Sequence, residues 1–247
     1  MDIVKIRPLS IDDYAGLKTC MVRAYAQMPE AFWKEPQIKR LLDIFPEGQL
    51  VVTLNDQIVG CALSIIVRYD RFGDNHTYRE ITGNFTFTTH DAAGDTLYGI
   101  DVFVDPDFRG RRLGRRLYDA RKELCEHLNL SGIVFGGRIP KYHEHAHELS
   151  PRAYIEKVKN KELQDPTLDF QLSNDFHVRK VLRGYLLGDE ESKEFATLLR
   201  WDNIYYTPVT SNTESASKSV VRLGLVQWQM RSYRTLEELF EQMEYFV

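Results

Sequence analysis

One stretch constrains the fold more than any other. Leu97 to Val104 is an apolar run with strand character, and it leads directly into VDPDFRGRRLGRRLYDARKEL, Val104 to Leu124. Strand, short glycine-containing loop and helix in immediate succession gather the loop's N–H groups and the helix's unpaired first-turn amides around one point. Gly110 permits close backbone approach, and a helix N-terminus contributes roughly 0.3–1 kcal/mol per anionic charge, up to about 2 in a partly buried site. Arg109, Arg111, Arg112, Arg115 and Arg116 add charge-assisted hydrogen bonds. On a helix expected from about Arg112 to Leu128, Leu113, Leu117, Ala120, Leu124 and Leu128 form an apolar stripe, which turns Arg112, Arg115, Arg116 and Arg121 mostly outward. The natural guest of the loop is a pyrophosphate. The bland alternative is a solvated arginine face, and neither a P-loop nor the dinucleotide glycine fingerprint is present.

Charge narrows the partner. The 247 residues include 32 basic and 36 acidic side chains, a formal net charge of -4, so the arginine cluster is a local device and no nucleic-acid partner is expected. At 43% hydrophobic and 28% charged the chain has the composition of an ordinary soluble protein. Nowhere do roughly 18 apolar residues run together, so no membrane span or signal peptide is expected. Cys20, Cys61 and Cys125 are odd in number and widely spaced, as reduced thiols of a cytoplasmic protein would be.

The remaining periodicities predict an α/β order. Val4 to Pro8 reads as a strand. Ser10 with Asp13 opens a helix running to about Gln27, and a second helix covers Lys34 to Phe45. Leu50 to Leu54 and Ile58 to Val67 form a hairpin about Asn55 and Asp56. The polar, aromatic segment Arg68 to Asp95 has no clear period, with a possible strand at Phe85 to Thr89. Ile133 to Gly137 is a further strand, Arg138 to Leu172 a long helical segment, and Val178 to Tyr185 with Ala196 to Trp201 a final hairpin. Within the helical segment, His143 and His147 stand one turn apart; with no third fixed ligand, no metal is expected.

The run Val104-Asp105-Pro106-Asp107-Phe108-Arg109-Gly110-Arg111-Arg112-Leu113-Gly114 resembles the acetyl-CoA signature of the GNAT N-acetyltransferases, Val-x-Pro-x-aromatic-Arg/Gln-Gly-x-Gly-x-Gly. The elements before it follow that family's order, over roughly Met1 to Tyr206. One departure stands out: Arg112 occupies the penultimate glycine of the signature. The resemblance implies a GNAT-like mixed sheet whose central parallel strands splay apart between flanking helices. It further implies acetyl-CoA as co-substrate, held by the backbone of Val102, Phe103 and Val104 and by Arg109, Gly110, Arg111, Arg112, Leu113, Gly114 and Arg115. A small-molecule or peptide amine would be the acceptor. An alkylamine must lose a proton first, at a cost of roughly 4.6 kcal/mol at pH 7. The resemblance places Asp101 where many members carry an acidic residue, as base or relay, with pairing to a neighbouring arginine as its structural alternative. Glu80 and His90 are secondary candidates. Many members protonate the leaving thiolate with a Tyr whose position here is taken by Gln171, so Tyr142 or Tyr154 is expected to substitute. Failing that, solvent supplies the proton, or the protein binds acyl-CoA without turning it over.

Residues 207–217, rich in Ser and Thr, read as a linker. Residues 218–247, a strand and an amphipathic helix, resemble the opening of carbon-nitrogen hydrolase (nitrilase-type) domains. That resemblance implies a fragment of a bifunctional acetyltransferase/hydrolase, or a tail that associates with a missing hydrolase domain or a second copy of the chain.

Overall fold

A computed structural model of the chain describes residues 2–26 and 32–208. The expected linker and hydrolase-like tail lie outside the described residues, apart from Thr207 and Pro208. Among the described residues seven strands form one sheet in the order β1-β2-β3-β4-β5-β7-β6. These are β1 (Val4–Pro8), β2 (Leu50–Leu54), β3 (Gln57–Val67), β4 (Thr96–Val104), β5 (Gly132–Arg138), β6 (His177–Leu182) and β7 (Ala196–Asp202). All neighbours are antiparallel except β4 and β5. The β2–β3 turn is made by Asn55 and Asp56, whose φ values of 50° and 65° are the left-handed pair a tight hairpin needs.

Helices cover both faces, which is why β3 is buried at every residue from Ile58 to Val67. On one face, α1 (Tyr14–Ala24) and α2 (Glu35–Ile44) bring Leu17, Met21, Ile38 and Leu41 against Cys61, Leu63 and Ile65. On the other, α4 (Leu113–His127) sets Leu113 and Leu117 against Val52, Val59 and Ala62. The short α3 (Tyr78–Ile81) lies in the irregular segment before β4. The expected long helical segment is instead broken into α5 (Tyr142–His145), α6 (Pro151–Lys159) and α7 (Pro166–Leu172). Pro151 and Pro166 each begin a helix, where a proline's missing N–H costs nothing, and each therefore interrupts the one before. Phe85 to Thr89 is no strand: Phe85 and Phe87 have φ values of 65° and 59°, outside the extended region, and the turn they make buries Phe87 against Trp33. The first helix stops at Ala24, short of the expected Gln27.

The β3–β4 ladder contains a register shift between Leu63 and Ser64, where Leu63 faces Asp101 and Ser64 faces Gly99. Such a bulge leaves main-chain groups without ladder partners. Gln49, fully buried, serves one side: its amide donates to the Phe45 and Ser64 carbonyl oxygens at 2.7 and 2.9 Å, and its oxygen accepts from the Ser64 N–H at 3.2 Å. Arg121 serves the other, donating from one terminal nitrogen to the carbonyl oxygens of Leu63 and Asp101. Replacing Gln49 with Ala removes its bonds to the Ser64 carbonyl oxygen and N–H, at about 1–3 kcal/mol for each unpaired group, while the Phe45 carbonyl oxygen keeps the Gly48 N–H at 3.2 Å. Gln49→Ala is therefore expected to lower unfolding free energy by about 3 kcal/mol in urea titration, whereas Gln49→Glu, which keeps one acceptor, also loses both donated bonds.

Candidate active site

Beyond the bulge the two parallel strands separate. β4 and β5 pair at Leu97–Ile133 and Tyr98–Val134, and from Gly99 onward the ladder ceases. Side chains from both faces enter the gap. A Cβ on Gly136 would stand 2.2 Å from the Tyr185 ring, and one on Gly137 2.4 Å from the Gln171 amide oxygen, so glycine is required wherever a side chain crosses the opened strand. The result is a cavity of about 1200 Å³ that runs from the loop before α4, along β4, and through to the α1–α2 face.

The mouth is the strand-loop-helix element. Gly110 has φ of 78°, and a Cβ placed there would meet nothing within 4 Å, so the main chain is bare to the cavity. Arg112 immediately precedes α4 in the left-handed region, φ 59° and ψ 20°. This explains the glycine of the resembled signature: the turn demands a conformation that costs an L-residue roughly 1–2 kcal/mol, and arginine adopts it here regardless. Arg109, Arg112 and Arg115 line the cavity together with Leu113 and Gly114, as do Val102, Phe103 and Val104. Arg111, in contrast, turns to an ion pair with Asp2 at 2.9 Å. The helix orphan amides and three guanidinium groups thus converge on the mouth, an arrangement suited to a diphosphate.

Asp101 lines the inner cavity on the α1–α2 side. Its two carboxylate oxygens accept from the Tyr25 hydroxyl at 2.5 Å and the Trp33 indole N–H at 3.0 Å. Enclosure pushes the Asp101 pKa above its ordinary value, against the pull of those two donors and of Arg121. Each oxygen retains a second lone pair for an incoming cation. Around it stand Tyr25, Trp33, Tyr78 and Phe85, ring centroids 5.9–6.4 Å apart in the Trp33–Tyr78, Trp33–Phe85 and Tyr78–Phe85 pairs. On the α4 side Tyr118 and Gln171 border the cavity, and the Tyr118 hydroxyl and the Gln171 amide oxygen are both buried.

The secondary candidates are engaged elsewhere. Glu80 accepts from the Thr77 N–H and hydroxyl at 2.7 and 2.9 Å, capping α3, and these bonds lower its pKa. His90 accepts from the Ile66 N–H at 3.2 Å through Nδ1 and stacks on Phe45. The Tyr142 hydroxyl donates to the Leu149 carbonyl oxygen at 2.9 Å, and that of Tyr154 to Asp165 at 2.8 Å. None of these four lines the cavity. His143 and His147 belong to no metal-ligand cluster among the described residues. Arg121, expected on the outer face of its helix, is 1% exposed. The signal was present: Leu113, Leu117, Arg121 and Cys125 recur every four residues, and all four are buried. The aromatic ring around Asp101 had no sequence signal, since its members come from separate segments.

The comparisons with known proteins agree with this architecture. A family model described as Acetyltransferase (GNAT) family matches residues 19–149. An uncharacterized N-acetyltransferase of Bacillus subtilis, YkwB, is 34% identical over 177 residues, 72% of this chain and 78% of that protein. The probable hydrolase YhcX of the same organism is 36% identical over 246 residues, and this chain spans 45% of its length. Among solved structures, the loading GNATL domain of CurA from Lyngbya majuscula matches with a TM-score of 0.71 at 22% identity, covering 81% of this chain and 98% of that one. The splayed parallel pair, the glycine-bearing loop before α4 and these matches together place the chain in the GNAT acetyltransferase family.

Proposed function

We propose that this chain moves an acetyl group from acetyl-CoA to a primary amine by direct attack in a ternary complex. The observation that carries the reading is the parting of β4 and β5, which makes one cavity of an anion-binding mouth and a buried carboxylate. In this reading the coenzyme diphosphate is held by the amides of Gly110 to Gly114 and by Arg109, Arg112 and Arg115. The pantetheine arm lies against the free edge of Val102 to Val104, where an extended chain meets unpaired strand groups.

Asp101 accepts the acceptor's ammonium proton. A carboxylate with a raised pKa is a stronger base than a solvated one, and it offsets part of the roughly 4.6 kcal/mol of amine deprotonation. The four rings about it favour a cation on an apolar body, through cation–π attraction of about 0.5–2 kcal/mol. The acceptor class is thus an alkyl- or arylalkyl-amine. At the other side Tyr118 offers a proton donor to the departing thiolate: burial raises its pKa against the pull of Arg121 and Gln171, so the hydroxyl stays protonated. The match to a probable hydrolase over less than half of that protein's length supports acetyl transfer as one part of a longer protein's chemistry.

Calorimetric titration with acetyl-CoA, followed by thiol release across an amine panel, tests the reading. Binding without release identifies an acyl-CoA-binding regulatory module instead. Gly114→Glu sets a carboxylate beside the diphosphate and a Cβ 2.7 Å from Phe170, and it is expected to weaken acetyl-CoA binding by roughly 10²-fold or more. Asp101→Asn is expected to lower kcat/KM by roughly 10²- to 10⁴-fold with little change in acetyl-CoA affinity. In the wild type the acid limb of kcat/KM follows Asp101, above the ordinary carboxylate range. In the variant that limb moves up to the pKa of the free amine, near about 10.4.

A further inference from the structure

Two guanidinium groups reach the inner cavity, and they differ in compensation. Arg138 is committed to an ion pair, donating to both Asp189 carboxylate oxygens at 2.7 and 2.5 Å and to Glu191 at 2.8 Å. Arg121 donates to the main-chain oxygens of Leu63, at 2.5 Å, and Asp101, and its Nε is buried without a partner. Burial pulls its pKa down, yet a guanidinium remains charged in proteins. The bulge does not require that charge, because Gln49 serves the Ser64 side of it with a neutral amide. A buried cation that feels the Asp101 carboxylate but is hydrogen-bonded only to main-chain oxygens is costly, so its charge calls for a use.

Position supplies one. The other terminal nitrogen of Arg121 stands 3.2 Å from where a Cβ on Gly99 would lie, and Gly99 directly follows the last β4–β5 pair. The guanidinium therefore sits at the vertex of the wedge. From Val104 to Gly99 the strand covers about 17 Å at about 3.3 Å per residue. A coenzyme arm anchored at the mouth and extended along β4 brings its far end, the thioester, to that vertex.

We propose that Arg121 is a catalytic residue that stabilises the negative charge developing on the thioester carbonyl oxygen; this rests on the acetyl-transfer reading above. The amine lone pair forms the C–N bond as the C=O π pair moves onto the oxygen beside the guanidinium. The lone pair is freed beforehand, when the ammonium gives one proton to Asp101. As the C–S bond breaks, the oxygen's pair returns to the carbonyl and the sulfur takes the Tyr118 hydroxyl proton. The second proton on nitrogen leaves to solvent, from which Tyr118 is reprotonated. Arg121 neither gains nor loses a proton. A fixed cation in a low-dielectric wall needs no reorganisation at the moment of reaction.

The test joins calorimetry, kinetics and infrared difference spectroscopy of acetyl-CoA labelled with ¹³C at the carbonyl, using the full chain. Bound to the wild type, the thioester stretch is expected to fall below its value in water. Arg121→Gln keeps neutral donors for the bulge; it is expected to abolish that shift and lower kcat by about 10²- to 10³-fold, with acetyl-CoA affinity within about 3-fold. Arg121→Lys is expected to recover part of both. An unshifted carbonyl in the bound wild type overturns the proposal, and this measurement stands even if the variants do not fold. Equal losses in binding and turnover for Arg121→Gln also overturn it. So does a wild type that binds succinyl-CoA about 10-fold or more tighter than acetyl-CoA with the preference lost in Arg121→Gln, which assigns the cation to an acyl-chain carboxylate. Failure of acetyl-CoA to bind at all sinks the acetyl-transfer reading itself.

Discussion

The hydrogen bonding of the β3–β4 bulge is the interaction on which the rest of the structure depends. A bulge bends its strand and increases local twist. Here it falls at Leu63/Ser64 opposite Gly99 to Asp101, immediately after the last residues that β4 shares with β5. The strand that bends away from its parallel neighbour is thus the strand that carries Asp101. Gln49 and Arg121 hold the distortion by bonding the Ser64 N–H and the carbonyl oxygens of Ser64, Leu63 and Asp101. Without those donors the exposed groups would favour a regular ladder, and a regular ladder would close the cavity.

The opened sheet separates charges of opposite sign. Asp101 faces the α1–α2 side with Tyr25 and Trp33, while Arg121 enters from α4 and meets the same residue at its carbonyl oxygen. At the mouth, Arg109, Arg112 and Arg115 face the cavity while Arg111 pairs with Asp2. Geometry therefore divides these four guanidinium groups into three that line the cavity and one that pairs with Asp2, before the N-terminal strand. The left-handed Arg112 marks where local strain is accepted so that the first amides of α4 can point outward.

Much of the frame was legible in the chain. The β2–β3 hairpin about Asn55 and Asp56, the order of the first helices, and the strand leading through Gly110 into α4 follow from local patterns, and so does the resemblance to the GNAT signature. Other features were not legible. Glu80 and Tyr142 have the chemical types of an acid-base group near the site, and in the structure both are held by local hydrogen bonds away from the cavity lining. Whether a polar atom is free depends on neighbours that spacing does not reveal. Phe85 to Thr89 carries strand-forming residues, yet burial of Phe87 against Trp33 outweighs that preference. A stripe drawn through Ala120, Leu124 and Leu128 turns Arg121 outward, whereas the buried face runs through Leu117, Arg121 and Cys125 at four-residue spacing.

The sequence by itself determined the local geometry: where the chain turns, which helix follows which strand, and which amides lie unpaired at the start of α4. These depend on residues a few positions apart, whose conformational preferences act without the rest of the fold. The tertiary structure decided which side chains face the cavity. Tyr25, Trp33 and Asp101 meet across 76 residues, and Arg121 reaches a carbonyl 58 residues away, because a bulged strand has parted from its neighbour. Such meetings are set by packing and by the need to satisfy buried main-chain groups, and no short stretch of sequence encodes either.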